Sequence, residues 1–253
     1  MLIEERLRKI RKIIEENKSA SIEALVSRLG VSKDTIRRDL IRLEQDNIIR
    51  RTHGGAVINS RDALIFDYSQ RSGTLNPVKT RIAAKAAERV EEGSSVIFDA
   101  STTVEAAIPL LADKQILALT NSLTNAGALA RHKTREIKVL PGTLHPEQLF
   151  LSGSETVQKL TEYHADYLLL GVFAISPQGV FIHTEAEGLV KRQMVMQSRT
   201  VIALADHTKI NTSGFFKVCD LSLIDFLITD VCPDDSFTQA LRENDVELIL
   251  TTT

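Results

Sequence analysis

Three stretches of this 253-residue chain carry side chains suited to binding anions. The first runs from Lys33 to Arg42. Ile36, Leu40 and Leu43 recur at i, i+4 and i+7, so a helix here buries one stripe and turns Lys33, Asp34, Thr35, Arg37, Arg38, Ile41 and Arg42 outward. Ammonium and guanidinium donors on such a face suit phosphate oxygens and base edges, although a solvated helix face has the same composition. The second stretch is Arg50-Arg51-Thr52-His53-Gly54-Gly55. Its adjacent glycines permit positive φ and close approach of backbone to a phosphate, flanked by Arg50, Arg51 and His53; a plain hairpin turn is the other reading. The third is Asp99-Ala100-Ser101-Thr102-Thr103, where hydroxyls and backbone N–H groups collect ahead of a helix expected from Val104. The positive end of a helix dipole favours an anion there, and simple N-capping explains the same residues.

The elements that must hold the first two stretches follow from periodicity. Ile3, Leu7, Ile10 and Ile14 mark an amphipathic helix, and Lys18 to Ala20 breaks it. Ser21 is placed to N-cap a second helix with Ile22, Leu25, Val26 and Leu29 on its apolar side, and Gly30 to end it. Val31 then plugs the core and Ser32 caps the third helix. A short helix, a tight turn containing glycine and a longer helix is the helix-turn-helix order, whose second member enters the major groove N-terminus first. Short strands at Ile48 to Arg51 and Ala56 to Ile58 make the basic turn a β-wing.

Beyond residue 58 the pattern changes. Residues 59–75 lose periodicity and read as a linker between a domain of residues 1–58 and one of residues 76–253. Asn76-Pro77 starts a helix with Ile82, Ala83, Ala86, Ala87 and Val90 on its buried side, and Gly93 is expected to end it. Apolar strands follow near 96–98, 116–119, 137–140, 167–172, 201–204, 226–228 and 246–250, alternating with helical segments. This is the pattern of a mainly parallel α/β sheet covered on both faces, in which ligands bind at the carboxyl ends of strands. Four of those ends are polar: Asp99 to Thr103, Thr120-Asn121-Ser122, Pro141-Gly142-Thr143 and Asp206-His207-Thr208-Lys209. Lys209 stands out because it follows Asp206 at a strand end.

Composition narrows the classes. Residues 1–60 carry 13 Lys and Arg against 9 Asp and Glu, and the remainder carries 18 against 24, so the modest positive excess sits in the N-terminal piece. Two cysteines, Cys219 and Cys232, supply neither a disulfide framework nor a metal-ligand set, and no metal or cofactor is expected. The N-terminus lacks an export signal and the longest apolar stretch, Tyr167 to Ile175, is too short to span a bilayer, which predicts a cytoplasmic protein with no membrane partner.

Residues 31–56, VSKDTIRRDLIRLEQDNIIRRTHGGA, resemble the signature of the DeoR family of bacterial transcription regulators. The resemblance places Thr35 to Leu40 on the recognition helix and His53-Gly54-Gly55-Ala56 in the wing. It implies that Ser32, Lys33, Thr35, Arg37 and Arg38 lie at or near DNA, joined by Arg42, Arg51, His53 and Gly54, while Asp39 orients an arginine. FDASTT, LTNS, the glycine after the third strand, the Glu185/Glu187 segment, LADHTK and LITD fall in the order of that family's sensor domain, whose fold is that of ribose-5-phosphate isomerase. The resemblance implies a phosphate loop at Ser101, Thr102 and Thr103, with Asp99, Asn121, Glu187, Lys191, Asp206 and Lys209 around a sugar. Two positions depart from the family: Pro141-Gly142 replaces a glycine pair, and Ala174 stands where a glycine is common and narrows the expected pocket.

The reading these residues favour is a repressor of carbohydrate genes, at least dimeric so as to span two half-sites of a double-stranded operator, and controlled by a phosphorylated sugar. The rival is an isomerase-like enzyme carrying a DNA-binding domain, since carboxylates and lysines at strand ends can move protons. A winged helix used for protein contacts fits less well with Arg37, Arg38, Arg42, Arg50 and Arg51 on one side.

Overall fold

A computed structural model describes residues 3–17, 19–45, 49–52, 54–58, 76–132 and 134–251. The chain divides into two compact units, Met1–Phe66 and Asp67–Thr253. His53, the segment 59–75 read as a linker, and the side chain of Arg50 lie outside the described residues.

The first unit runs α1 (Ile3–Asn17), β1 (Ser19–Ser21), α2 (Ile22–Leu29), α3 (Lys33–Gln45), β2 (Ile49–Thr52) and β3 (Gly55–Ile58). Its helix boundaries are set by local chemistry. Ser21 accepts a hydrogen bond from the Ala24 N–H at 3.1 Å, Gly30 closes α2 in the left-handed conformation at φ 66°, and Ser32 Oγ accepts from the Thr35 N–H at 3.2 Å. Ile10, Ile14, Leu25, Ile36, Leu40, Leu43 and Ile49 form one core, with Val31 packed against it. Ile3 stays exposed, so the buried stripe of α1 begins at Leu7. Residues 19–21 do more than interrupt a helix: β1 pairs antiparallel with β3. The two strands approach so closely that a Cβ on Gly55 would stand 2.1 Å from the Ala20 carbonyl oxygen.

The second unit begins with α4 (Pro77–Arg89), β4 (Ser95–Phe98), α5 (Thr102–Glu105), β5 (Leu117–Thr120), α6 (Leu123–Leu129), β6 (Glu136–Val139), β7 (Thr143–His145) and β8 (Phe150–Ser152). It continues with α7 (Ser154–Leu160), β9 (Ala165–Gly171), β10 (Ala174–Ser176), β11 (Gly179–Ile182), α8 (Glu185–Met196), β12 (Ser198–Leu204), β13 (Phe216–Cys219), β14 (Phe226–Thr229), α9 (Asp235–Glu243) and β15 (Glu247–Leu250). Asn76 caps α4 through the Val78 N–H at 3.0 Å with Pro77 at the first helical position. The helix stops at Arg89, and Gly93 instead makes the turn into β4 at φ 75°.

The seven expected strands form one parallel sheet in the order β15-β14-β12-β9-β4-β5-β6. Alternate residues along each strand feed opposite cores. Val96, Phe98, Tyr167, Leu169, Ile202 and Leu204 pack with α4 and α6, whereas Ile97, Leu168, Leu170, Val201 and Ala203 pack with α7, α8 and α9. From β4 the chain steps through β5 to β6, then returns to the other flank of β4 with β9 and steps outward through β12, β14 and β15. The segments after β4 and β9 therefore leave toward opposite faces, which makes this pair the topological switch point, the place where open α/β sheets form their ligand crevice. A small antiparallel sheet β10-β11-β13 and the hairpin β7–β8 complete the unit.

Candidate functional site

In the first unit, α3 is fixed by a bidentate ion pair. The Arg6 guanidinium on α1 donates to both oxygens of Asp39, at 2.5 and 3.0 Å, with Asp39 almost fully buried. Asp39 thus orients an arginine, and that arginine is Arg6. Asp39→Ala should strip the guanidinium of its partner, lower the unit's stability by about 3 kcal/mol and raise the exchange rate of α3 amide hydrogens roughly a hundredfold. Unchanged protection would show the clamp to be dispensable.

The outward face of α3 divides by how its charges are used. Lys33 pairs with Glu23 at 3.0 Å and Arg37 with Asp34 at 3.4 Å, while Ser32 and Thr35 share a hydroxyl–hydroxyl bond of 2.9 Å. Glu44 accepts from the Arg51 N–H at 2.9 Å and lies 3.8 Å from its guanidinium, tying the wing to the end of α3. Arg38 and Arg42 are exposed and make no hydrogen bond or ion pair among the described residues. Gly54 is exposed at the wing's turn with nothing within 4 Å of a Cβ position, and its carbonyl accepts from the Ile22 N–H. The arrangement presents two unengaged guanidinium groups on a rigid helix beside a wing with open backbone.

In the second unit, the β4–β9 crevice gathers Asp99, Ser101, Thr102, Glu187 and Lys191. Lys191, on α8, is 4% exposed and donates to Asp99 Oδ2 and to the Gly171 carbonyl at 3.1 Å. Asp99 is 1% exposed and also accepts from the Gly171 N–H at 2.9 Å. Glu187 lies one turn before Lys191 with its carboxylate 3.7 Å from the ammonium. Gly171 is the hinge of this packing, because a Cβ there would stand 2.1 Å from Ser101 Cβ.

The helix behind Ser101 differs from expectation. It begins at Thr102 and is a single turn, with Ser101 capping the Thr103 N–H at 3.2 Å, so it carries little macrodipole. Positive charge arrives instead from Lys79 in the first turn of α4, whose ammonium donates to Thr102 Oγ1 at 2.7 Å. Lys79 was missed in the sequence because a lysine at the start of a helix looks like a surface residue. Asn125 was missed too: fully buried on α6, it donates to the Asp99 carbonyl at 2.9 Å, and its own Oδ1 has no hydrogen-bond partner among the described residues.

The remaining candidates occupy neighbouring strand ends. Asn121 exchanges bonds with Leu151, its Nδ2 donating to the Leu151 carbonyl at 2.8 Å and its backbone carbonyl accepting the Leu151 N–H, so it anchors β8 at the end of β5; its buried Oδ1 has no partner among the described residues. Asp206 caps the turn after β12 through the Thr208 N–H at 2.9 Å. Lys209 places its ammonium 5.8 Å from the centre of the Phe173 ring, and no hydrogen bond joins it to Ser101, Thr102 or Thr103 among the described residues. His207 Nδ1 meets Asp230 Oδ2 at 2.7 Å, and that carboxylate raises the histidine's pKa. His183 stacks edge-on to Phe173 at 4.2 Å, with its pKa depressed by burial. Ala174 is buried in β10, paired with Phe181. Burial pushes the Cys219 thiol up to about 12, which makes it unreactive.

A winged helix-turn-helix with exposed arginines on its second helix, joined in one chain to an α/β unit with polar residues gathered at its switch point, defines a DNA-binding regulator with a sensor domain. Residues 6–62 match the family described as DeoR-like helix-turn-helix domain, and residues 76–231 match DeoR C terminal sensor domain. The chain belongs to the DeoR family of transcription regulators. It is 41% identical over 251 residues to the HTH-type transcriptional repressor GlcR of Bacillus subtilis, covering 99% of this chain and 97% of that one. It is 33% identical over 247 residues to the glycerol-3-phosphate regulon repressor of Haemophilus influenzae, covering 97% and 96%. Among solved structures, ribose 5 phosphate isomerase A from Neisseria gonorrhoeae aligns over 53% of each chain with a TM-score of 0.40 and 19% identity.

Proposed function

We propose that the protein is a cytoplasmic repressor of carbohydrate transport or catabolism genes, that it binds its operator as a dimer or higher oligomer, and that a phosphorylated sugar in the β4–β9 crevice controls that binding without being turned over. The observation that carries this reading is the Lys79 ammonium 2.7 Å from the Thr102 hydroxyl at the switch point. Cation, hydroxyls and the backbone of residues 101–103 make a subsite for a phosphoryl group, and Glu187 borders the same crevice beside Lys191. Binding without turnover is supported by the engagement of Asp99 and Lys191 with each other and with Gly171, which occupies two of the acid–base groups of the crevice. Names of relatives support the rest, since they are repressors, one of them of a glycerol-3-phosphate regulon.

The test begins with genomic fragments captured by the full-length protein, followed by a panel of sugar phosphates scored for fragment release, thermal stabilisation and product. At least one compound should shift the melting temperature and none should be converted. Thr102→Ala and Lys79→Ala should each require about one to two decades more ligand for release, the equivalent of a lost charge-assisted hydrogen bond. Fragment binding without ligand should be unchanged. Equal potency of an unphosphorylated sugar would remove the phosphate subsite, and steady product formation would establish the enzyme reading.

A further inference from the structure

We infer that Ile41 reads thymine in the operator by packing on its 5-methyl group, an inference that rests on the DNA-reading role proposed above for α3. The inner side of that helix is accounted for: Ile36, Leu40 and Leu43 fill the core and Asp39 is tied to Arg6. Asp34, Arg37, Arg38 and Ile41 stand at i, i+3, i+4 and i+7, one ridge on the opposite side. A helix lying in the major groove presents side chains to successive base pairs with this spacing. Three of the four are charged, and Asp34 is engaged with Arg37. The fourth is a branched hydrocarbon, 39% exposed.

Single exposed isoleucines are common on protein surfaces, so exposure alone assigns nothing. Position and charge do. Arg38, one turn before Ile41, and Arg42, immediately after it, carry the guanidinium groups that make no hydrogen bond or ion pair among the described residues. At about 100° per residue Ile41 and Arg42 flank Arg38 on adjoining positions of the helix surface, so a duplex that meets both guanidinium groups also lies along Ile41. Of the features the four bases present in the major groove, the thymine methyl is the apolar one, and an isoleucine against any polar edge would leave that edge without a hydrogen bond. The arginines thus select the polyanion, and Ile41 selects the base.

The full-length protein is used to select duplexes from a random-sequence library, and each thymine of the selected site is then replaced by deoxyuridine, which removes the methyl alone. One thymine in each half-site should, on replacement, weaken wild-type binding about fourfold, the factor that corresponds to ~0.8 kcal/mol per buried carbon group. Ile41→Ala should bind the thymidine and deoxyuridine duplexes equally at that position. The inference is overturned if no thymine carries a penalty in the wild type, or if Ile41→Ala retains the penalty. The wild-type comparison needs no variant, so it decides the matter even where Ile41→Ala fails to fold. Failure of the wild-type protein to select any duplex overturns the reading of α3 as a DNA reader together with this one, which distinguishes the two failures.

Discussion

Replacing Lys191 with methionine is expected to lower the stability of the larger unit by about 3–5 kcal/mol, the largest effect of any single substitution in the crevice. The side chains of Lys191 and Asp99 are 5% and 2% exposed, so the variant leaves a buried carboxylate to which, among the described residues, only the Gly171 N–H still donates. Removing the second charge as well should restore most of the loss, because Asp99→Asn with Lys191→Met buries no unpaired ion. The measurement is convenient. The chain has no tryptophan, and of its three tyrosines Tyr163 and Tyr167 lie in the larger unit, so with Tyr68 replaced by phenylalanine intrinsic fluorescence in urea follows that unit. A single variant within about 0.5 kcal/mol of wild type, the range of ordinary surface changes, would mean that the crevice admits water to Asp99.

The double variant Arg38→Ala, Arg42→Ala is expected to weaken operator binding by about two to three decades, at roughly 1–3 kcal/mol for each well-formed guanidinium contact. Both side chains are exposed on α3 and make no hydrogen bond or ion pair among the described residues, so the fold should keep its melting temperature. The dependence of affinity on salt should flatten as well, by about 0.9 in log–log slope for each phosphate contact removed. Lys33→Ala should cost less, since that ammonium is shared with Glu23. Binding by the double variant within threefold of wild type would place the DNA-contacting surface elsewhere on the unit.

Local signals in the sequence carried far. Ser21, Gly30, Ser32 and the Asn76-Pro77 pair mark helix boundaries because a cap is satisfied within four residues of itself. The seven strands of the large sheet were visible as apolar runs because a parallel sheet is buried on both faces. Strand order was not visible, since pairing depends on segments far apart in the chain. With it went the β4–β9 crevice, the close packing of Gly171 on Ser101 and the approach of Lys79 to Thr102. Lys209 was favoured in the sequence for its nearness to Asp206; in space it is Lys79 that meets the hydroxyl cluster. The short strands β1, β10, β11 and β13, of three or four residues each, escaped because so few positions cannot establish an alternation.

The partners of Asp99 in the crevice, Gly171 and Lys191, follow it by 72 and 92 residues. The reader is complete within the first 66 residues. During synthesis, the part that meets DNA can therefore fold while the part that receives the ligand is still without two of its walls. On the proposed reading, a stop codon between residues 99 and 171 yields a polypeptide with the reader but without a complete ligand crevice. Responsiveness is the last property the nascent protein acquires and the first that truncation removes.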